Sequence, residues 1–142
     1  MAEGSQIPDA LLDAYRKTQY RVMKGEPFTL LVGTRSKELA ELLARTGCAS
    51  AAFITAWNPF SEPAALEANV AALAALKADL EGAGCMMLAG LGEDPEKTVS
   101  GEPSFLAVGL SLEAAKALGA KYRQNAIVWA DADAVPQLVL LR

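Results

Sequence analysis

Ala51 to Ala56 form an apolar run, AAFITA, set between two segments of helical periodicity. A short run of this kind without polar alternation belongs to a strand covered on both faces, so the chain must supply helices to both sides of a sheet. The helix before it is well punctuated. Ser36 is an N-cap, Leu39, Leu42 and Leu43 share one face, and Gly47 is placed to stop it. After Trp57-Asn58-Pro59-Phe60, Ser61 and Pro63 are expected to open the longest helix, ending near Gly82. Its apolar stripe reads Leu66, Val70, Leu73, Leu76 and Leu80. At 100° per residue Glu67 points away from that stripe and Asn69 falls inside its arc, so Asn69 is expected to face the core or a pocket.

The flanking segments extend the same grammar. Residues 8–18 read as a helix, with Pro8 near its start and Leu11, Leu12 and Tyr15 at helical spacing. Strands are expected at 19–23 and 28–32 around the turn Lys24-Gly25-Glu26-Pro27, and at 85–89. Residues 90–102 carry no periodic apolar pattern and read as a mobile acidic loop. A strand at 104–109, a Ser111-capped helix at 111–122 and strands at 125–130 and 136–141 complete the chain, the last pair joined through Asp131-Ala132-Asp133-Ala134. "LLVGTRSKELAELL" before "AAFITAW" echoes "LAVGLSLEAAKAL" before "NAIVW", each compatible with a helical crossover between parallel strands. The fold expected is α+β with an α/β-like character: one domain over residues 1–142, a mixed sheet of about five to seven strands, and about four helices. A chain of 142 residues buries about 70% of its unfolded surface, enough for one real core.

Composition removes several chemistries. The sequence has no histidine, which excludes Ser-His-Asp and Cys-His triads and histidine-bound zinc. Cys48 and Cys85 do not form a disulfide framework or a Cys-x-x-Cys motif, and no metal or cofactor is implied. The formal net charge of −4 argues against broad nucleic-acid binding. Arg16, Lys17, Arg21 and Lys24 form a local basic run around Tyr20, which reads as a solvated helix end and strand edge or as a phosphate-binding patch. Met1 to Gln6 lacks a secretory pattern and the apolar stretches are too short to span a bilayer, so a cytoplasmic protein without a membrane span is expected.

Four places carry polar groups that packing alone does not require. Thr55-Ala56-Trp57-Asn58-Pro59-Phe60 leads a buried strand into an indole, an amide and a proline. Trp57 and Asn58 there either recognise a ligand or fill the core rim and a turn. Asn69 must find partners on its apolar face. Gln124 and Asn125 stand together at a strand entrance, where alternation would send their side chains to opposite faces. Glu102 is the carboxylate placed to join a buried strand.

"AAFITAWNPFS", the helix carrying Asn69, and "EPSFLAVGLSLEAAKALGAKYRQNAIVW" resemble the bacterial proteins grouped as domain-of-unknown-function family 3293. The resemblance extends from the first helix to Arg142. It implies a complete single domain in which Thr55, Trp57, Asn58, Pro59, Glu102, Ser104, Gln124 and Asn125 occupy motif positions, and it implies no activity. Family members often place a Glu-Asn pair in the long helix; here Ala68 separates Glu67 from Asn69.

Two functions compete. A pocket for a small polar or nucleotide-like ligand would draw on Thr55, Trp57, Asn58, Asn69, Glu102, Gln124 and Asn125, with Glu102 or Glu67 as the acid or base if any reaction occurs. Alternatively, the chain is an interaction or regulatory module, a homodimer paired through the terminal strand "PQLVLLR". No catalytic residue is assigned.

Overall fold

The computed structural model describes residues 6–23, 26–95 and 101–142. Along the chain run α1 (Asp9–Lys17), β1 (Gln19–Val22), β2 (Phe28–Leu30), α2 (Lys37–Thr46) and β3 (Ala51–Ile54). A 3-10 turn (Pro59–Ser61) follows, then α3 (Leu66–Gly82), β4 (Met86–Glu93), β5 (Glu102–Val108), α4 (Leu112–Lys121), β6 (Ala126–Ala130) and β7 (Gln137–Leu140). Among the described residues seven strands and four helices make the expected α+β domain. No helix among the described residues is long and apolar enough to cross a membrane.

The strands lie in one sheet in the order β2-β1-β4-β5-β3-β6-β7. Every neighbouring pair is antiparallel, which corrects the expected mixed sheet. The crossovers themselves are real: β3-α3-β4 and β5-α4-β6 each join strands of the same direction. In each case one opposed strand lies between them, β5 in the first and β3 in the second, giving split β-α-β units. Ser36 and Ser111 cap α2 and α4 by accepting from the Leu39 and Ala114 amides at 3.0 and 3.2 Å.

β3 is buried at all four positions and feeds both faces. Ala51 and Phe53 join Leu39, Leu42 and Leu106 on the face covered by α2. Ala52 and Ile54 join Leu76, Leu80 and Ala115 on the face covered by α3 and α4. α4 lies close to the sheet because Gly119 has no side chain; a Cβ there would sit 2.5 Å from Leu141 Cδ1 and 2.9 Å from Ile127 Cγ2.

Two segments depart from the pattern read in the sequence. α3 starts at Leu66, not at Ser61 or Pro63, and has no side-chain cap. Leu66 and Val70 are 64% and 53% exposed, while Asn69, Leu76 and Leu80 are buried. The inward direction is therefore rotated toward Asn69, because the bonds of its amide govern the first turns more strongly than two peripheral methyl clusters. The expected loop at 90–102 is also shorter. Gly90 to Glu93 complete β4, paired with β1 on one side and β5 on the other, and Glu102 begins β5. Residues 96–100 of that loop, and Lys24 and Gly25 of the first turn, lie outside the described residues.

Candidate functional site

On the α2 side of the sheet, at the end where β3 and β4 finish and β1, β5 and β6 begin, side chains leave a cavity of about 300 Å³ under α1. Its floor is partly aromatic. Tyr20 and Phe53 meet edge to face, with ring centroids 5.2 Å apart and planes at 70°. Gly90 makes room for that arrangement, since a Cβ there would lie 2.7 Å from Phe53 Cε2. Tyr20 donates through its hydroxyl to the Tyr15 carbonyl at 2.6 Å, tying α1 to the sheet. Burial pushes the Tyr20 phenol above its ordinary range.

Thr55, Glu102, Gln124 and Asn125 of the expected site residues line this cavity. Thr55 Oγ1 donates to the Pro103 carbonyl at 2.7 Å and accepts the Trp57 amide at 3.0 Å, closing the end of β3 onto the start of β5. Gln124 and Asn125 both reach the cavity, against the expectation from strand alternation. The reason is local: Arg123 has φ 56° and β6 begins only at Ala126, so the two amides precede the pleat.

Trp57, Asn58 and Asn69 support the wall from behind and are absent from its lining. Trp57 contributes its carbonyl, which accepts from Gln124 Nε2 at 3.3 Å. Asn69 is 3% exposed. Its Oδ1 accepts the Asn58 amide at 2.9 Å and its Nδ2 donates to Asn58 Oδ1 at 2.8 Å. Asn58 Nδ2 in turn donates to Glu102 Oε2 at 3.4 Å, a long and weak bond. A relay of amides thus connects α3 to the carboxylate in the cavity.

The segment after β3 is under backbone strain. Asn58, Phe60 and Ser61 have φ of 47°, 57° and 61°, a region costly for bulky residues and often found at functional sites. The turn holds Ser61 at the cavity mouth. There its hydroxyl meets the Tyr15 hydroxyl, and Asn125 Nδ2 donates to both, at 2.9 Å to Tyr15 and 3.4 Å to Ser61. Asn125 Oδ1 accepts from Arg142 Nη1 at 3.0 Å, and the Arg142 guanidinium sits 4.0 Å from the Phe60 ring centroid.

Tyr15, Tyr20, Ser61 and Arg142 were not among the residues the sequence singled out for a site. Tyr15 read as one more apolar position in α1, Ser61 as a helix cap, and Arg142 as the end of a strand. Of the basic run, Lys24 lies outside the described residues. Arg16 lies 3.7 Å from Asp13 and Arg21 2.9 Å from Glu93, and neither lines the cavity.

Burial raises the Glu102 carboxyl pKa above the ordinary carboxylate value, and the Asn58 bond offsets this only in part. A carboxyl shifted this way costs nothing below its unfolded pKa. Its ionised form destabilises the fold progressively as pH rises through the folded value. Glu102→Gln is therefore expected to raise the melting temperature at pH 7. The gain should vanish near pH 4 in paired thermal melts. A gain of equal size at both pH values would contradict the assignment.

A family model described as "Protein of unknown function (DUF3293)" matches residues 54–127. The matched segment runs from the end of β3 into β6 and contains all seven expected site residues. It leaves out Tyr15 and Arg142, and is narrower than the extent of the resemblance. No curated protein and no solved structure matches the chain.

Proposed function

The chain belongs to the DUF3293 family, whose model covers just over half of its length, and on that premise we propose that it binds a small organic molecule in the cavity beneath α1. The observation that carries this reading is the convergence of Thr55, Glu102, Gln124 and Asn125 on one hollow of about 300 Å³. That size falls at the lower end for small-molecule sites, and the mixture of an apolar floor with a few placed polar groups is their usual chemistry. Amides and hydroxyls recognise; they do not readily transfer protons at neutral pH. Glu102 is the cavity residue with a perturbed carboxyl, and it would be the acid or base of any reaction there.

Ala126 faces the cavity from β6, and Ala126→Phe would fill the hollow without adding charge. A thermal-shift screen of metabolites should find one ligand class that stabilises the wild type, by about 2.7 kcal/mol at a hundred times its dissociation constant. The Ala126→Phe protein should show no shift. Equal shifts in both proteins would place binding elsewhere.

A second reading has its own observation. β7 lies at an edge of the sheet, so one side of its backbone is available to another strand. Pairing of β7 with its copy would make a homodimer, and a concentration-dependent mass in sedimentation would reveal it. A monomer at all concentrations removes this reading and leaves the cavity reading intact.

A further inference from the structure

The hydrogen bonds around the cavity are lopsided. Among the described residues its side-chain donors, one hydroxyl hydrogen at the mouth apart, are already engaged within the protein. Thr55 Oγ1 donates to Pro103, Ser104 Oγ to the Glu102 carbonyl at 2.9 Å, and Tyr20 to Tyr15. Both hydrogens of Gln124 Nε2 are taken, by the Trp57 and Tyr122 carbonyls at 3.3 and 3.2 Å. Both hydrogens of Asn125 Nδ2 go to the Tyr15 and Ser61 oxygens. At the mouth, Tyr15 and Ser61 share one hydroxyl hydrogen between them, leaving a single donor over.

The acceptors are in the opposite state. Among the described residues Gln124 Oε1 accepts from no protein donor, and the Glu102 carboxylate receives only the 3.4 Å bond from Asn58. No buried side-chain polar atom in the described structure lacks a partner, so Gln124 Oε1 is not sealed from solvent, and Gln124 is itself a lining residue of the hollow. Among the described residues the lining contains no lysine or arginine. Glu102 stands at the start of β5 and Gln124 just before β6, with β3 between those strands. Two strand spacings separate them by about 10 Å. Phe53, Ala126 and Val128 lie across the intervening floor.

We infer that the ligand is an organic cation carrying N–H donors at both ends of an apolar body. An ammonium, amidinium or guanidinium group lies against Glu102, and the second donor meets Gln124 Oε1. This rests on the small-molecule reading given above and makes it more specific. Such a ligand supplies the hydrogens that the cavity lacks and neutralises a carboxylate held where water solvates it poorly. An anionic or phosphorylated ligand would meet the Glu102 carboxylate and few free side-chain donors, which sets aside the nucleotide-like option.

Titration calorimetry on the full chain, with compounds sharing one carbon skeleton, separates the two levels of the argument. Hexane-1,6-diamine is compared with hexane-1,6-diol and adipate, and agmatine serves as a guanidinium arm. The expected result is one-to-one binding of the diamine or agmatine at least tenfold tighter than the diol, no binding of adipate, and loss of the preference in Glu102→Gln. Diol or adipate binding as tightly as the cations, with Ala126→Phe blocking it, overturns the cation assignment and leaves the cavity reading standing. Cation binding that persists unchanged in Glu102→Gln reflects general attraction to an acidic protein and also overturns the assignment. If none of these compounds binds, and the metabolite screen is likewise blank, both readings fall.

Discussion

Asn69→Ala is expected to cost about 2–3 kcal/mol and to lower the melting temperature by roughly 6–12 °C for a chain of this size. The buried amide bonds both the main chain and the side chain of Asn58. Truncation leaves the Asn58 amide without its acceptor in a turn that already holds Asn58 at φ 47°. The turn is then held beside α3 by the Ala64 amide, which donates to Asn58 Oδ1 at 3.1 Å, without the pair of bonds from Asn69. Because Asn58 is the side-chain donor to Glu102, the same change should weaken ligand binding as well as folding. Val70→Ala is the informative control. Val70 belongs to the apolar stripe by sequence but is 53% exposed, and its truncation should stay within about 0.5 kcal/mol. Denaturant melts of the two variants decide the matter. Equal losses would mean that the stripe, and not the amide, anchors the helix.

That contrast shows what a linear reading can and cannot reach here. Ser36, Ser111 and Gly47 act on backbone groups three or four residues away, so their roles are written locally and appear where expected. The inward placement of Asn69 follows from helical angle alone. The rotation that exposes Leu66 and Val70 does not, because it is set by Asn58, eleven residues earlier on another element. Gly90 and Gly92 gave no strand signal, since glycine carries no alternation; their strand is defined by partners in β1 and β5. Sheet direction was likewise hidden. Each helix joins strands of one direction, and only the insertion of β5 or β3 between them makes every neighbour antiparallel.

The cavity follows the same division. Thr55 lies within an apolar run, and Glu102, Gln124 and Asn125 stand at the entrances of apolar strands, a placement legible in the sequence. Tyr15 and Asn125 are bonded across 110 positions of sequence, and Ser61 reaches them only through a strained turn. Nothing in the spacing of α1 marks Tyr15 as more than a core residue. Tyr15 and Ser61, Asn125's partners at the mouth, are therefore not legible as site residues.

The aromatic floor yields the second large effect. In Gly90→Ala the new methyl group would lie 2.7 and 2.9 Å from Phe53 Cε2 and Cζ, and 3.1 Å from the Arg21 carbonyl oxygen. The carbonyl belongs to the β1–β4 pairing and cannot retreat without breaking it. Phe53 must move instead. Tyr20 stands against the ring edge to face, and the ring's open side is the cavity it lines. The substitution should thus cost about 1–3 kcal/mol by overpacking and, in the same step, press the ring into the ligand's space. Both losses share one cause, so a smaller partner should relieve them together. In the double variant Gly90→Ala with Phe53→Leu, the stability change should fall short of the sum of the single changes by about 1 kcal/mol or more. Strict additivity in that cycle would show that the ring is not what the glycine accommodates. Binding that survives Gly90→Ala unchanged would show that the floor beneath Phe53 is not where the ligand rests.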